Sequence, residues 1–212
     1  CPGGAIARNP KWNLDLDAWK AQFSGWMQLP EPQPLLEFTI FFDLRAVFGD
    51  ESLVRAIRDH VWAEARGRPA FFPLFAQSAL QFRPPPRLFG RVFAGVEPTG
   101  RLDMKECLMP LSGFARLYAL REHVAATGTR QRLLELAARG VLKPQGAQDA
   151  IRAFDALYGA RLRIQVEASA ARAQTTNILA LAELDSGAQA EIVSALAEIT
   201  TLQKRISFDY FG

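Results

Sequence analysis

Apolar residues recur at three- and four-residue intervals along almost the whole chain, the spacing that gathers them on one face of an α-helix. That periodicity predicts helices over residues 14–28, 34–48, 50–66, 69–82, 110–125, 129–140, 146–170 and 186–208. Between them stand the breakers PEPQP, GD, RGRP, TGT and RGVLKPQG, each as short as connections in a compact helical domain usually are. Nothing alternates apolar and polar residues as an extended sheet would. The expected fold is all-α, a multi-helix bundle of about eight helices. Two helix starts carry a further signal. Asp50 and Glu51 place carboxylates at the positive end of a helix dipole, and Ser186 with Gln189 has the spacing of a capping box.

One long segment escapes the helical pattern. FRPPPRLFGRVFAGVEPTGRLDMK, residues 82–105, holds three consecutive prolines and three glycines, which keep it irregular. Loops longer than about 12–15 residues inside a compact domain are more often functional or strained than idle. This one delivers the chain to Asp103 and Lys105, at the entrance of the apolar stretch LDMKECLMPLSGFARLYAL, whose interior holds Arg116.

Charges interrupt apolar faces elsewhere too. In FFDLR, Asp43 and Arg45 break the most hydrophobic segment of the protein. In the helix over 146–170, Ile151, Phe154, Tyr158, Arg161, Leu162 and Gln165 fall on one arc, so the apolar stripe runs into an Arg and a Gln that are expected to face inward. An unpaired buried charge costs several kcal/mol, so inward charges must either pair with one another or line a wet cavity. The first arrangement would join Asp103 or Asp43 to Arg116 or Arg161. The second would converge Lys105, Arg116 and Arg161 on an anionic group such as a phosphate, with Asp and Gln side chains orienting them.

Composition narrows the classes. With 25 basic and 22 acidic residues among 212, a formal charge of +3, and the basic residues scattered, the chain gives little support to an anionic ligand and excludes duplex DNA as the expected partner. Cys1 and Cys107, with His60 and His123 far apart, make neither a disulfide framework nor a zinc site, so no metal is expected in this chain and a reducing cytoplasm fits. No apolar run reaches about 18 residues, so no membrane span is expected. The opening CPGG has no initiator Met and matches no phosphate-loop pattern; it reads as the start of a fragment rather than as a lipid-modified terminus. Ser112 lacks the nucleophile-elbow pattern and is expected to start a helix. Trp12, Trp19, Trp26 and Trp62 are expected to anchor a core.

CPGGAIARNPKW, the helix carrying Trp19 and Trp26, FFDLRAVFGD, PPPRLFG, LDMK, ARLYAL, TGTRQRL, RLRIQ, Asn177 and the closing Leu202-Gln203 together resemble the C-terminal region of bacterial nucleotidyltransferases of the signal-transduction type. From about residue 50 onward the chain is similar to the helical domain called the putative nucleotidyltransferase substrate-binding domain. More remotely, that domain resembles the helical region following the catalytic domain of the uridylyltransferase that modifies the PII signalling protein. There an Asp-x-Lys motif precedes a Gly-rich helix, and an Arg is followed at i+4 by a polar residue. Asp103, Lys105, Arg161 and Gln165 stand at the matching positions.

The resemblance implies a division into residues 1–49, the tail of a nucleotidyltransferase domain with connecting helices, and 50–212, the helical substrate-binding domain. Catalysis in the polymerase-beta-like family uses a Gly-Ser motif followed by an Asp pair that binds Mg²⁺ and positions the nucleoside triphosphate. No Gly-Ser motif followed by such a pair occurs here, so the chain alone is expected to be inactive, with Mg²⁺ and NTP belonging to the missing half. Gly4 stands where some relatives carry an acidic residue; Asp43 is the remaining candidate for a third metal carboxylate. The implied substrate-binding residues are Asp103, Lys105, Arg116, Arg161 and Gln165. The implied partners are a nucleotide or an acceptor protein, the chain's own upstream domain, and the cyclic-nucleotide-binding and cystathionine-beta-synthase-type domains found in such proteins; a homodimer is compatible. The competing expectation is a non-enzymatic regulatory or protein-interaction module in which the same polar residues are structural.

Overall fold

The structure is a computed structural model that describes residues 8–28, 31–81 and 100–212. Most of the irregular segment expected over 82–105 lies outside the described residues, as does the CPGG opening. Eight α-helices and one two-stranded ribbon are described, so the chain is all-α in class. It divides into two compact units, Cys1–Phe75 and Ala76–Gly212.

The first unit is built from α1 (Leu16–Gln28), α2 (Pro32–Phe41), α3 (Glu51–Gly67) and the start of α4 (Phe71–Leu80). Helix α1 packs on both α2 and α3. Phe38 is completely buried among rings, 5.9 Å from Phe23, 5.6 Å from Phe42, 5.1 Å from Phe71 and 5.6 Å from Phe75 by centroid. Phe41 stands between three tryptophans, 4.4 Å from Trp12, 5.0 Å from Trp19 and 5.6 Å from Trp26. The indole N–H of Trp26 donates to Glu37 at 3.0 Å, and Lys11 pairs with the other carboxylate oxygen at 2.8 Å. Burial alone would raise the Glu37 pKa, but the hydrogen bonds from Lys11, Gln33 and Trp26 outweigh it and hold the carboxyl below its ordinary value. His60 meets the Ser24 hydroxyl at 2.8 Å and the Lys20 carbonyl at 3.1 Å, which ties α3 to α1.

Helix α3 starts where the Asp50 signal placed it, with that carboxylate accepting from the Ser52 amide at 2.8 Å. Helix α2, expected to run to residue 48, stops at Phe41. Ending there lets the chain turn, so that Arg45 is exposed and Asp43 half-buried rather than both being carried inward on a helix. By packing, α3 groups with α1 in the first unit.

The second unit holds α5 (Met104–Arg121), α6 (Thr129–Ala138), α7 (Pro144–Ala170) and α8 (Ser186–Phe211), with the strands β1 (Arg101–Asp103) and β2 (Ile178–Ala180). Helix α5 is the axis of the bundle. It touches α6, α7 and α8, and Phe114, Ala115 and Leu117 to Leu120 are all fully buried. Cys107 is buried in it, and desolvation together with Asp103 and Glu106 pushes its thiol up to about 12, so it packs as an inert apolar group. The Tyr118 hydroxyl donates to Asp209 at 2.6 Å, which joins α5 to α8 beneath the guanidinium of Arg121, 4.5 Å from the Tyr118 ring.

Helix α5 begins six residues before its expected start, and Ser112 therefore lies inside it rather than at its entrance. The reason is Asp103. Its carboxylate caps the helix there, and Pro110 is accommodated in the interior. At α8 the cap is Asp185, accepting from the Ala188 amide at 2.8 Å. The expected capping box is not formed, because Ser186 is already helical and the Gln189 side chain donates to the Leu184 carbonyl at 2.9 Å.

The ribbon was not foreseen. Strands β1 and β2 pair antiparallel in the register Arg101 with Ala180, Leu102 with Leu179 and Asp103 with Ile178. Leu102 and Leu179 face the core, 1% and 7% exposed. Three residues per strand are too few for alternation to be legible in a sequence.

Candidate functional site

The ribbon matters because it ends at the entrance of α5. Met104 donates its amide to the Asn177 carbonyl at 2.9 Å, just before β2 begins. The next two amides of the helix, those of Lys105 and Glu106, are taken by the Asp103 carboxylate at 2.8 and 3.2 Å. The first three amides of α5 are thus satisfied from within the protein. What it offers outward is the side chain of Lys105, which is exposed.

Helix α7 brings the other half of the site. Its buried residues end at Leu157, and Tyr158 and Leu162, expected to face inward, are 42% and 43% exposed. On this open half of the helix, Arg161 and Gln165 are one turn apart and half-buried, so both project from the same face. Both reach Asn177. Arg161 donates through Nε to Asn177 Oδ1 at 2.9 Å, and Gln165 donates through Nε2 to the same oxygen at 3.2 Å. Among the described residues, the two terminal nitrogens of Arg161 have no hydrogen-bond or ion-pair partner. A guanidinium steadied at Nε, with its fork of terminal N–H groups unused, is arranged to receive an oxyanion by two parallel hydrogen bonds.

Asp103, Arg161 and Gln165 therefore meet around Asn177, with Lys105 on the adjoining turn. Among the described residues Asp103 forms no ion pair with Arg161, since its carboxylate serves the helix cap. Arg116 lies eleven residues beyond Lys105, on the order of 16 Å along the axis of α5, where it is half-buried and engaged in contacts of its own. Asp43 belongs to the first unit. Asn177, one of the residues that carry the resemblance, is not among the implied substrate-binding residues, although it stands directly before the apolar triplet Ile178-Leu179-Ala180.

A family model described as the putative nucleotidyltransferase substrate binding domain matches residues 69–210, more than half of the chain. The chain belongs to that family. Asp103, Lys105, Arg116, Arg161, Gln165 and Asn177 all fall within the matched region. A second model, of a putative nucleotidyltransferase family, matches residues 1–33. No curated protein and no solved structure gives a significant match.

The substrate-binding domain also has a groove of about 440 Å³ between α7 and α8, lined by Asp149, Arg152, Asp155, Glu191 and Glu198 among others. Arg152 pairs with Asp149, and Arg130 with Asp155. Burial, then repulsion from Asp149, pushes the Glu198 carboxyl up to about 7, with Arg152 opposing. A folded state that holds this proton more tightly than the unfolded chain is favoured at low pH. The contribution is complete below the ordinary carboxylate range and is lost as pH rises through about 7. Allowing for the group's partial exposure, the loss should be on the order of 1 kcal/mol. Urea unfolding of the native and Glu198→Gln proteins between pH 4.5 and 8 checks this, since the variant should lack that component of the pH dependence.

Proposed function

We propose that this chain is the substrate-binding part of a nucleotidyltransferase of the signal-transduction type, which moves a nucleotidyl group from a nucleoside triphosphate to a protein or small-molecule acceptor. Its catalytic Gly-Ser and Asp-pair half is not contained in these residues. The sequence does hold one Asp-x-Asp spacing, Asp15 and Asp17, but Asp15 accepts from the Ala18 amide at 2.8 Å as a helix cap and Asp17 is exposed. Among the described residues no three His, Cys, Asp or Glu side chains gather as metal ligands, and we assign Mg²⁺ to the catalytic half. Among the described residues no helix is long and apolar enough to cross a membrane. We place the protein in the cytoplasm, with its upstream nucleotidyltransferase domain, a nucleotide and an acceptor as its partners.

The observation that carries this reading is Arg161, fixed at Nε and, among the described residues, unengaged at its terminal nitrogens, while its anchor Asn177 is bonded to the helix turn that bears the exposed Lys105. In this role Lys105 and Arg161 hold nucleotide phosphate, with Arg116 further along α5 and with Asp103 and Gln165 ordering the scaffold. Titration of the four nucleoside triphosphates into the chain tests it. Lys105→Gln and Arg161→Gln should each weaken binding, and in a protein carrying both halves they should lower nucleotidyl transfer at normal stability. Binding and transfer untouched by both substitutions would sink the reading in favour of an interaction module whose polar residues are structural.

A further inference from the structure

Asn177 is the hub of the site, and its neutrality is the point of interest. One side-chain oxygen accepts from both Arg161 Nε at 2.9 Å and Gln165 Nε2 at 3.2 Å, while the backbone carbonyl of the same residue accepts the first amide of α5 at 2.9 Å. The Thr176 hydroxyl accepts from the Ile178 amide at 3.1 Å and so helps shape the turn that presents Asn177. A half-buried Arg that needed only a structural partner would be served better by a carboxylate, because an ionised acceptor strengthens the hydrogen bond and cancels the charge. The neutral amide does neither. It orients the guanidinium and leaves its full positive charge on display.

We infer that Asn177 is a positioning residue that holds Arg161 in an oriented but uncompensated state, so that its terminal nitrogens take a phosphate group of the ligand. This rests on the reading of Arg161 given above. Gln165, on the same oxygen, limits rotation of the Asn177 side chain, and the Met104 bond fixes its backbone to the α5 entrance.

Isosteric charge change separates this role from a structural one. Asn177→Asp keeps the shape and both donors' acceptor, so the fold should persist with a thermal midpoint equal to or above the native one. It also cancels the charge of Arg161. Affinity for ATP and for inorganic pyrophosphate, read by calorimetric titration, should therefore fall at least about tenfold. Asn177→Ala leaves the charge uncompensated but unanchored and should lose severalfold, with the loss falling on both probes. Native affinity in Asn177→Asp or in Asn177→Ala, whichever folds, while Arg161→Gln loses binding, would overturn the role of Asn177 and leave that of Arg161 standing. Native affinity in Arg161→Gln as well would overturn the underlying reading of the site.

Discussion

Arg161→Gln should bind nucleoside triphosphate at least about thirtyfold more weakly than the native chain. Glutamine has similar polarity but no charge and no second terminal N–H fork, so both hydrogen bonds to a phosphate oxygen pair lose their ionic character. Hydrogen bonds to charged groups contribute roughly 1.5–3 kcal/mol each, and a loss of about 2 kcal/mol is already a factor of about thirty. Stability should change little. Arg161 is half-buried on the part of α7 that carries no fully buried residue, and its one described bond is to a neutral oxygen. Losing such a bond costs about 1 kcal/mol, which moves the thermal midpoint of a protein this size by a few degrees at most. Titration beside a thermal scan checks both halves of this expectation, and a weakly binding variant that is also unfolded would not satisfy it.

Phe38→Ala should cost the first unit about 3–5 kcal/mol, enough to unfold it in mild denaturant. The ring is fully buried and meets four other rings, from α1, from α4 and from Phe42 at the end of its own helix, so truncation removes apolar burial and leaves a cavity that rigid aromatic neighbours fill poorly. The chain supplies its own probe. All four tryptophans, Trp12, Trp19, Trp26 and Trp62, lie in the first unit, whereas the three tyrosines, Tyr118, Tyr158 and Tyr210, lie in the second. Tryptophan fluorescence should therefore report a large drop in the urea midpoint while the tyrosine signal of the second unit reports a transition of its own. A loss under about 1 kcal/mol would show that the aromatic cluster is not the core the structure makes it.

Helical periodicity made the class of fold legible, because a face of apolar residues at three- and four-residue spacing has few other solutions. Helix ends were less legible where a single polar side chain decides them. Pro110 reads as a helix start, yet the Asp103 cap begins α5 earlier; Ser186 reads as a cap, yet Asp185 takes that place. The same limit shaped the site. Arg161 and Gln165 stood out as polar residues on an apolar arc, but the arc could not show that α7 opens to solvent after Leu157. Nor can spacing show that donors on a helix and an amide at the foot of a strand share one oxygen, since that contact depends on a three-residue ribbon formed between segments more than seventy residues apart in sequence. Lys105 and Arg116, expected to converge, stand on one helix, eleven residues or about three turns apart.

The entrance of α5 and the open half of α7 together make the proposed phosphate site. The most direct measurement is an NMR titration of the isotope-labelled chain with ATP. The largest shifts should appear at the backbone amides of Met104, Lys105 and Asn177 and at the Arg161 Nε–H, and they should vanish together in Arg161→Gln. Shifts concentrated instead along the groove of Asp149 and Glu198, or unchanged by that substitution, would contradict it.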